Sequence, residues 1–308
     1  MPAIAKKETR LRLEFVENKD HSIHAGLVVV EAMAQRFGLW QRIRKLSSLD
    51  PRRDKRRGYS PEVIVGQLVD ALCTGGGCLS DSEALNEDPL AGKLFGVDRF
   101  ADQSQVGEWL RGQSDQSVED LRKLLREFVE WVWQQADPRR LLHCGQREVF
   151  FDDTQLEVRG RHFEGAAINY NGDLALSWQT LWVGPFLADS HIGSPKDVSD
   201  QLPSMMDRNR PPCSALIANP VYYLIGALAY DLMTAIKILD LQDQSHGWRV
   251  KILMKKLVML PGRLSQRSRQ WVTEVMVPGV WMNWWQRWAA RVWPHHERGR
   301  PNVVNMAL

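Results

Sequence analysis

Residues 149–154 read Val-Phe-Phe-Asp-Asp-Thr and place two neighbouring carboxylates directly behind a short apolar run. A short β-prone run followed at once by acids predicts a buried strand that carries a carboxylate into a site. Carboxylate oxygens are the hard ligands that Mg²⁺ prefers. Successive strand residues point to opposite faces of a sheet, so Asp152 and Asp153 cannot both face one metal ion. One of them is a candidate ligand, and the residues alone leave the choice open.

Two groups of cations could contact the phosphates of a nucleic acid. One group precedes a predicted helix, and the other comes after the acidic strand. A short charged run is also typical of a solvated loop, and the cations behind the strand could equally pair with Glu157 or Glu164. The two groups are Arg52, Arg53, Lys55, Arg56 and Arg57, then Arg159 and Arg161.

The first part of the chain, residues 1–146, is predicted to be mostly helical. A helix is expected at Ser60-Pro61-Glu62, because Ser is a good N-cap, Pro fits the first helical position and Glu suits the positive helix end. A second helix is expected to open at Ser117, and its apolar positions recur at helical spacing. These positions are Val118, Leu121, Leu124, Leu125, Phe128, Val129 and Val132.

Residues 147–208 are predicted to form a meander of three antiparallel strands, because apolar runs alternate there with turn signals. Residues 190–195 are predicted to be a loop, and residues 196–206 a short helix. Together with the first region, this predicts an α+β fold. The expected strands and turns are, in order, 149–154, 166–170, Asn171-Gly172, 174–183 and Gly184-Pro185.

Residues 209–308 are predicted to form a basic helical tail. From Met206 onward the chain carries 14 Lys and Arg against 6 Asp and Glu, a net charge of +8, whereas the whole chain has a net charge of +3. A basic region favours a polyanionic partner, either DNA or an anionic membrane surface. A solvated basic face without a partner is the alternative.

Four tryptophans of this tail have the spacing of one helix face. We interpret this stripe as a core or partner-facing surface. Three arginines accompany it, so a helix lying on a membrane surface and a face that stacks on bases are the alternatives. The residues are Trp281, Trp284, Trp285 and Trp288, with Arg287, Arg291 and Arg298.

The bulk composition, with 44% hydrophobic and 25% charged residues, is ordinary for a soluble globular protein. A charged N-terminus without an apolar segment argues against a signal peptide, and the four cysteines lack metal-site spacing. We therefore expect a reduced cytoplasmic location. The apolar stretch 221–239 contains Asp231 and Lys237, which favours a buried core helix over a membrane span.

The acidic segment also belongs to an ordered series of matching stretches. Residues 151–154 (Phe-Asp-Asp-Thr), Gly160 and residues 164–170 (Glu-Gly-Ala-Ala-Ile-Asn-Tyr) resemble the start of the catalytic domain of bacterial insertion-sequence transposases of the DDE type. Further stretches resemble the helical N-terminal region and the C-terminal tail of that family, so the resemblance spans nearly the whole chain. These stretches are 81–94 and 102–106, then 219–232 and 260–264.

The resemblance implies an RNase H-like catalytic core in which two aspartates and a glutamate hold two Mg²⁺ ions for phosphoryl transfer on DNA. The family usually writes its first acid as Asp-x-Thr, which assigns the first metal ligand to Asp152 and leaves Asp153 as the competitor. The implied partners are the DNA ends of the mobile element and further copies of the chain. Neither a membrane nor a small-molecule substrate is implied.

The chain departs from the family between Met206 and Asn219, where it passes directly from the start of the catalytic domain to the tail. The later strands, the second aspartate and the glutamate-bearing helix are missing. We therefore interpret the chain as an internally deleted, catalytically impaired transposase that still binds DNA. Two alternatives stay open: either Asp189 or Asp200, together with Glu274, completes the site, or the chain is a non-enzymatic basic module for DNA or a membrane surface.

Overall fold

Helices and two small antiparallel sheets make up the fold, which is α+β as predicted. The structure, a computed structural model, describes residues 20–159, 162–194, 215, 217–241, 247–267 and 270–292. The predicted short helix at 196–206 lies outside the described residues.

The N-terminal region is mostly helical, as predicted. Its elements are β1 (His21–Ser22), α1 (Leu27–Phe37), α2 (Leu39–Lys45), α3 (Pro61–Cys73), α4 (Ala91–Leu94), α5 (Gln103–Arg111) and α6 (Asp115–Gln135). Short 3₁₀ segments lie at Ser47–Leu49, Leu79–Glu87 and Pro138–Arg140.

The two predicted helix starts fare differently. Ser60 is the N-cap of α3 and Pro61 is its first residue, as predicted. The predicted opening of α6 at Ser117 is wrong, because Ser114 is the N-cap and its hydroxyl accepts the backbone N–H of Ser117 at 3.3 Å. Ser117 lies in the first turn instead. The seven apolar positions predicted for this helix are all buried.

The larger sheet comes after the helical region. Its strands are β2 (Val149–Glu157), β3 (Ala167–Ile168), β4 (Leu174–Val183) and β5 (Phe186–Gly193). The central strand is β4, which pairs antiparallel with β2 on one side and with β5 and the short β3 on the other. The strands predicted at 149–154 and 174–183 are therefore confirmed. The prediction that the first of them is buried is wrong for its apolar start, because Val149, Phe150 and Phe151 lie on an edge strand and are exposed.

The third long strand is not where the sequence predicted it. The strand predicted at 166–170 is reduced to the two residues of β3, and the sheet has four strands instead of three. The loop predicted at 190–195 is wrong for residues 190–193, which belong to β5. Ser190 and Gly193 are turn-prone, but Ile192 and its inward neighbours are buried in the core, and this packing outweighs local propensity.

The C-terminal region contains α7 (Ala218–Ala235), α8 (Val250–Leu253), β6 (Gly262–Arg267), β7 (Gln270–Val275) and α9 (Gly279–Val292). Helix α7 continues into a π-helical turn at Ile236–Asp240, and α8 into one at Met254–Val258.

The prediction of a wholly helical tail is wrong, because β6 and β7 form a hairpin. Three of the six residues of β7 are β-branched, which favours a strand over a helix. The hairpin also pairs with β1, so that His21 lies opposite Arg263. The second sheet, with the order β1-β6-β7, therefore joins the two predicted end regions.

Helix α7 lies at the centre of the molecule and packs against α3, α6 and β5. The segment Ala218–Asp240 is long and apolar enough to cross a membrane, yet 89% of its most apolar window is buried inside the fold. The predicted core helix is thereby confirmed. Because α7 contacts elements of all three predicted regions, one continuous hydrophobic core runs through them.

Candidate functional site

The two candidate aspartates lie in the middle of β2 and point to opposite faces of the sheet. Asp152 is paired with Thr180, and Asp153 with Gln179, in the antiparallel register of β2 and β4. Asp152 is half-buried, whereas Asp153 is only 4% exposed and accepts a hydrogen bond from the Ser177 hydroxyl. The prediction that one metal ion cannot be held by both carboxylates agrees with this geometry.

The Asp152 face of the sheet is the face that packs on α7. Trp178 and Trp182 lie on this face, and their rings contact Tyr223 at 5.0 Å and Tyr230 at 5.4 Å between centroids. The Thr180 hydroxyl donates to the backbone carbonyl of Asp152 at 3.3 Å. Asp152 therefore lies at the margin of a packed aromatic interface.

The acids proposed as recruited ligands lie elsewhere in the fold. Asp189 is on β5, two strands from β2, where Arg126 binds it at 2.9 Å and Arg122 at 3.3 Å. Its register partner Leu181 places it on the face opposite to Asp152. Glu274 is on β7 in the other sheet, and Asp200 lies outside the described residues.

The part of the chain that the structure describes contains no set of ligands that matches the predicted Mg²⁺ site. No group of three or more His, Cys, Asp and Glu side chains in that part could hold a metal ion. The described carboxylates therefore do not provide the ligands of the family's two-metal centre. Mg²⁺ binding at Asp152 remains a prediction, and no catalytic step follows from it.

A further acid near the sheet, Asp231 of α7, has a structural role. It is fully buried and accepts the backbone N–H of Leu187 at 3.0 Å. Burial raises the pKa of this carboxyl well above its usual value, because an ionised acid is poorly solvated inside the core. Through its hydrogen bond with Leu187, Asp231 anchors β5 to α7.

The basic run near the N-terminus forms a loop before α3, and its cations fall into two sets. Arg52 and Lys55 bind Asp50, at 2.8 Å and 3.1 Å; the Arg52 side chain is 18% exposed, whereas that of Lys55 is 57% exposed while it binds Asp50. Arg53, Arg56 and Arg57 are exposed. These exposed side chains of the predicted phosphate-binding group can contact a partner. Arg57 also forms an ion pair, at 3.6 Å, with an acid of its own loop.

The second predicted group of cations is only partly described. Arg159 is exposed just after β2, so it remains a candidate phosphate contact. Arg161 lies outside the described residues. His191, predicted in a loop, is on β5 and its Nδ1 is 2.9 Å from Nη2 of Arg122.

The tryptophan stripe of α9 packs inward. Trp284, Trp285 and Trp288 are 6%, 8% and 2% exposed, which confirms the core interpretation. Trp281 is the fourth member, and Lys256 lies over its ring at 4.6 Å and over the Trp248 ring at 4.0 Å. The protein itself therefore covers Trp284, Trp285 and Trp288, so neither a lipid nor a base can contact these three rings.

One cation of the basic tail, Arg291, also has a structural role. Arg291 donates to the carbonyl oxygens of Leu239 and Asp240, at 3.2 Å and 3.1 Å. The carboxylate of Asp240 binds Arg36 of α1 at 2.8 Å. Arg291 and Arg36 therefore both bind the C-terminal end of the α7 segment, where unpaired carbonyls and negative helix charge favour cations. Arg298 lies outside the described residues.

Two almost fully buried acids of the helical region were not predicted. Glu31 and Asp70, on α1 and α3, are 1% and 0% exposed. Burial raises the pKa of Glu31 to about 8, against a lowering effect of the hydrogen bond from Trp40 Nε1 at 2.7 Å. Burial and then the nearby Glu31 raise the pKa of Asp70 well above its usual value. An acid inside each apolar helical run was the signal available in the sequence.

Comparison with protein-family models, with curated proteins and with solved structures finds no match to this chain. The resemblance to DDE transposases therefore remains a prediction that rests on the residues of the chain alone.

Proposed function

We propose that this chain is an internally deleted relative of the DDE transposases that binds DNA and does not complete a two-metal centre. The observation that carries the proposal is the position of Asp152 and Asp153 in the middle of the first of three long antiparallel strands, β2, β4 and β5. This is the arrangement expected for the start of an RNase H-like core, in which the first acid lies on the first strand.

The open side of the sheet supports the deletion. In the described residues β2 pairs with β4 alone, and Phe151 beside the aspartates is 80% exposed. The far side of the sheet, at β5, packs against α6. Later strands of a complete domain could therefore extend the sheet only next to β2.

DNA is the partner that the exposed cations favour. Arg53, Arg56 and Arg57 project from one short loop, and Arg159 lies just behind the acidic strand. Such cations contact phosphates without reading sequence, so the proposed binding is sequence-tolerant and strongly dependent on salt.

Two measurements on the full chain test the proposal. Fluorescence anisotropy with a labelled duplex, between about 50 mM and about 200 mM salt, should give binding that weakens steeply as salt rises. A plasmid-cleavage assay with Mg²⁺ should give the same background for the wild type and for Asp152→Asn. Cleavage that is lost in Asp152→Asn would mean that the centre is complete, and absence of binding at the lowest salt would remove DNA as the partner.

The alternative, a non-enzymatic basic module, also predicts DNA binding but assumes no relation to the DDE transposases. Its membrane form requires an exposed apolar helix face, and three of the four α9 tryptophans, Trp284, Trp285 and Trp288, are buried. Co-sedimentation with anionic liposomes separates the two partners, because DNA binding alone leaves the protein in the supernatant.

A further inference from the structure

The segment from Gln244 to Thr273 carries seven Lys and Arg residues and no Asp or Glu. Its residues 249–258 contain α8 and the π-helical turn that continues it. The basic loop before α3 is different, because its five cations are accompanied by Asp50 and Asp54. A long segment with charges of one sign favours a partner of the opposite sign.

Three cations of this segment are exposed: Arg249 at the N-cap of α8, Lys251 within α8 and Lys255 in the π-helical turn. In the part of the chain that the structure describes, none of the three forms an ion pair with an acid. Lys251 and Lys255 are about one helical turn apart, a spacing at which like charges destabilise a helix. An anion that binds both lysines removes this repulsion.

The opposite side of the same segment is anchored in the core. Leu253, Leu257 and Val258 are 0%, 2% and 0% exposed. The backbone N–H of Gly26 also donates to the Val258 carbonyl at 3.2 Å, which bonds the segment to the start of α1. The three cations therefore project from an anchored helix and have defined positions on the surface.

We propose that Arg249, Lys251 and Lys255 form a second DNA-contacting surface, which binds phosphates of the duplex. This surface rests on the proposed function, DNA binding, and extends it to the C-terminal region. Lys and Arg are the side chains that position a protein on phosphates. A membrane fits this surface less well, because it requires a continuous exposed apolar face. Of the apolar side chains at 250–258, all of which the structure describes, only Ile252 is exposed, at 37%.

The two DNA-contacting surfaces lie at opposite ends of α3. The basic loop precedes the helix, which has Ser60 as its N-cap, whereas the side chain of Met254 lies beside Gly75, just after the helix. The thirteen residues of α3 span about 20 Å. The surfaces therefore share no side chain, and their contributions to DNA affinity should add.

Fluorescence anisotropy of the full chain with a labelled duplex of about 20 base pairs, roughly 68 Å long, tests the proposal. The α8 variant replaces Arg249, Lys251 and Lys255 with Gln. It should lower the salt slope by about 2.7, because each phosphate contact contributes roughly 0.9. Gln is a good helix former, so the denaturant midpoint should not fall. Combined with replacement of Arg53 and Arg56, the total decrease should be about 4.5.

A matched control removes three exposed cations from three other places and changes the net charge by the same amount. It should leave the salt slope of the wild type unchanged, because these side chains do not form one surface. The substitutions are Arg99→Gln, Lys123→Gln and Arg139→Gln.

Lysine acetylation locates the contact without any substitution. The duplex should slow the acetylation of Lys251 and Lys255 and leave that of Lys123, which is exposed on α6, unchanged. Lys256 is an internal reference, because its ammonium group lies over two indole rings, at 4.0 Å and 4.6 Å. It should react slowly both with and without DNA.

An unchanged salt slope in the α8 variant, or equal acetylation of Lys251 and Lys255 with and without DNA, would overturn this surface and leave DNA binding by the loop intact. So would an equal decrease in the control variant, since net charge alone would then explain the effect. Wild-type binding to anionic liposomes that the α8 variant loses, with DNA binding unchanged, would assign the surface to a membrane instead. A wild type that binds no duplex at the lowest salt would remove the proposed function and this surface with it.

Discussion

Arg52 binds Asp50 through two parallel hydrogen bonds, from Nε to Oδ1 at 2.8 Å and from Nη2 to Oδ2 at 3.0 Å. The same guanidinium donates to the carbonyl oxygens of Arg57 and Gly58, at 3.3 Å and 3.1 Å. Arg52 therefore bonds to both ends of the loop from which the other cations of the basic run project.

Replacing Asp50 with Asn should destabilise the fold by about 1 kcal/mol at pH 7, since solvent screening reduces the effect of the ion pair. The hydrogen bond from Arg52 is the main reason that the pKa of Asp50 is lowered to about 2 from 3.8. The stabilisation is present above pH 3.8 and is lost as the pH falls through 2. Urea unfolding at several pH values measures it, and Asp98→Asn, at a fully exposed acid, should change little. Equal effects of the two variants would contradict the role of the pair.

Replacing Arg53 and Arg56 together with Ala should weaken DNA binding and reduce the salt slope by about 2, because each phosphate contact contributes roughly 0.9. The variants should leave the free energy of unfolding unchanged, since both side chains are exposed. Arg139→Ala is the matched control: it removes a 90% exposed arginine near the far end of α6, roughly 30 Å from the loop. An unchanged slope in the double variant would place the DNA contact elsewhere.

Stability should fall as the pH rises toward 8, because the folded chain keeps a proton on Glu31 that the unfolded chain has released. Between about pH 5.5 and about pH 8.5 the loss from this group should be about 3 kcal/mol. Glu31→Gln keeps a side-chain oxygen for Trp40 and should make the pH dependence shallower by about one proton. Guanidinium unfolding at both pH values checks this, and parallel profiles for the two proteins would refute it.

Trp288→Ala should destabilise the fold by about 3–5 kcal/mol, the usual cost of removing a buried tryptophan. Trp288 is 2% exposed, and its indole N–H donates to Asp240 at 3.3 Å. Val280→Ala on the same helix changes a side chain that is 87% exposed and should have almost no effect. Denaturant midpoints compare the two, and a small effect at Trp288 would contradict the core assignment of the stripe.

Local periodicity predicts the parts of the fold that local rules determine. The buried face of α6, the start of α3 and the tryptophan face of α9 all result from spacing of 3 and 4 residues or from capping preferences. The acidic strand is predictable because its apolar run and its acids are adjacent in sequence.

Features that depend on distant partners are not predictable in this way. Part of strand β5 resembles a loop in the sequence because Ser190 and Gly193 are turn-prone. The strand forms because α7, which is distant in sequence, packs on it. The hairpin β6–β7 has a local signal in the β-branched residues of β7, whereas its pairing with β1 joins residues far apart in sequence. The sequence likewise offers Arg52 as a phosphate contact, and only the folded loop reveals its bonds to Asp50.

The pairing of β1 with β6 has a consequence for synthesis of the chain. His21 and Arg263 are about 240 residues apart, so the partner of β1 leaves the ribosome long after β1 itself. At roughly 5–20 residues per second, the delay is on the order of 10–50 s. During that time the first helices exist without the hairpin that completes their sheet, and a chaperone has its longest opportunity to bind this end of the nascent chain.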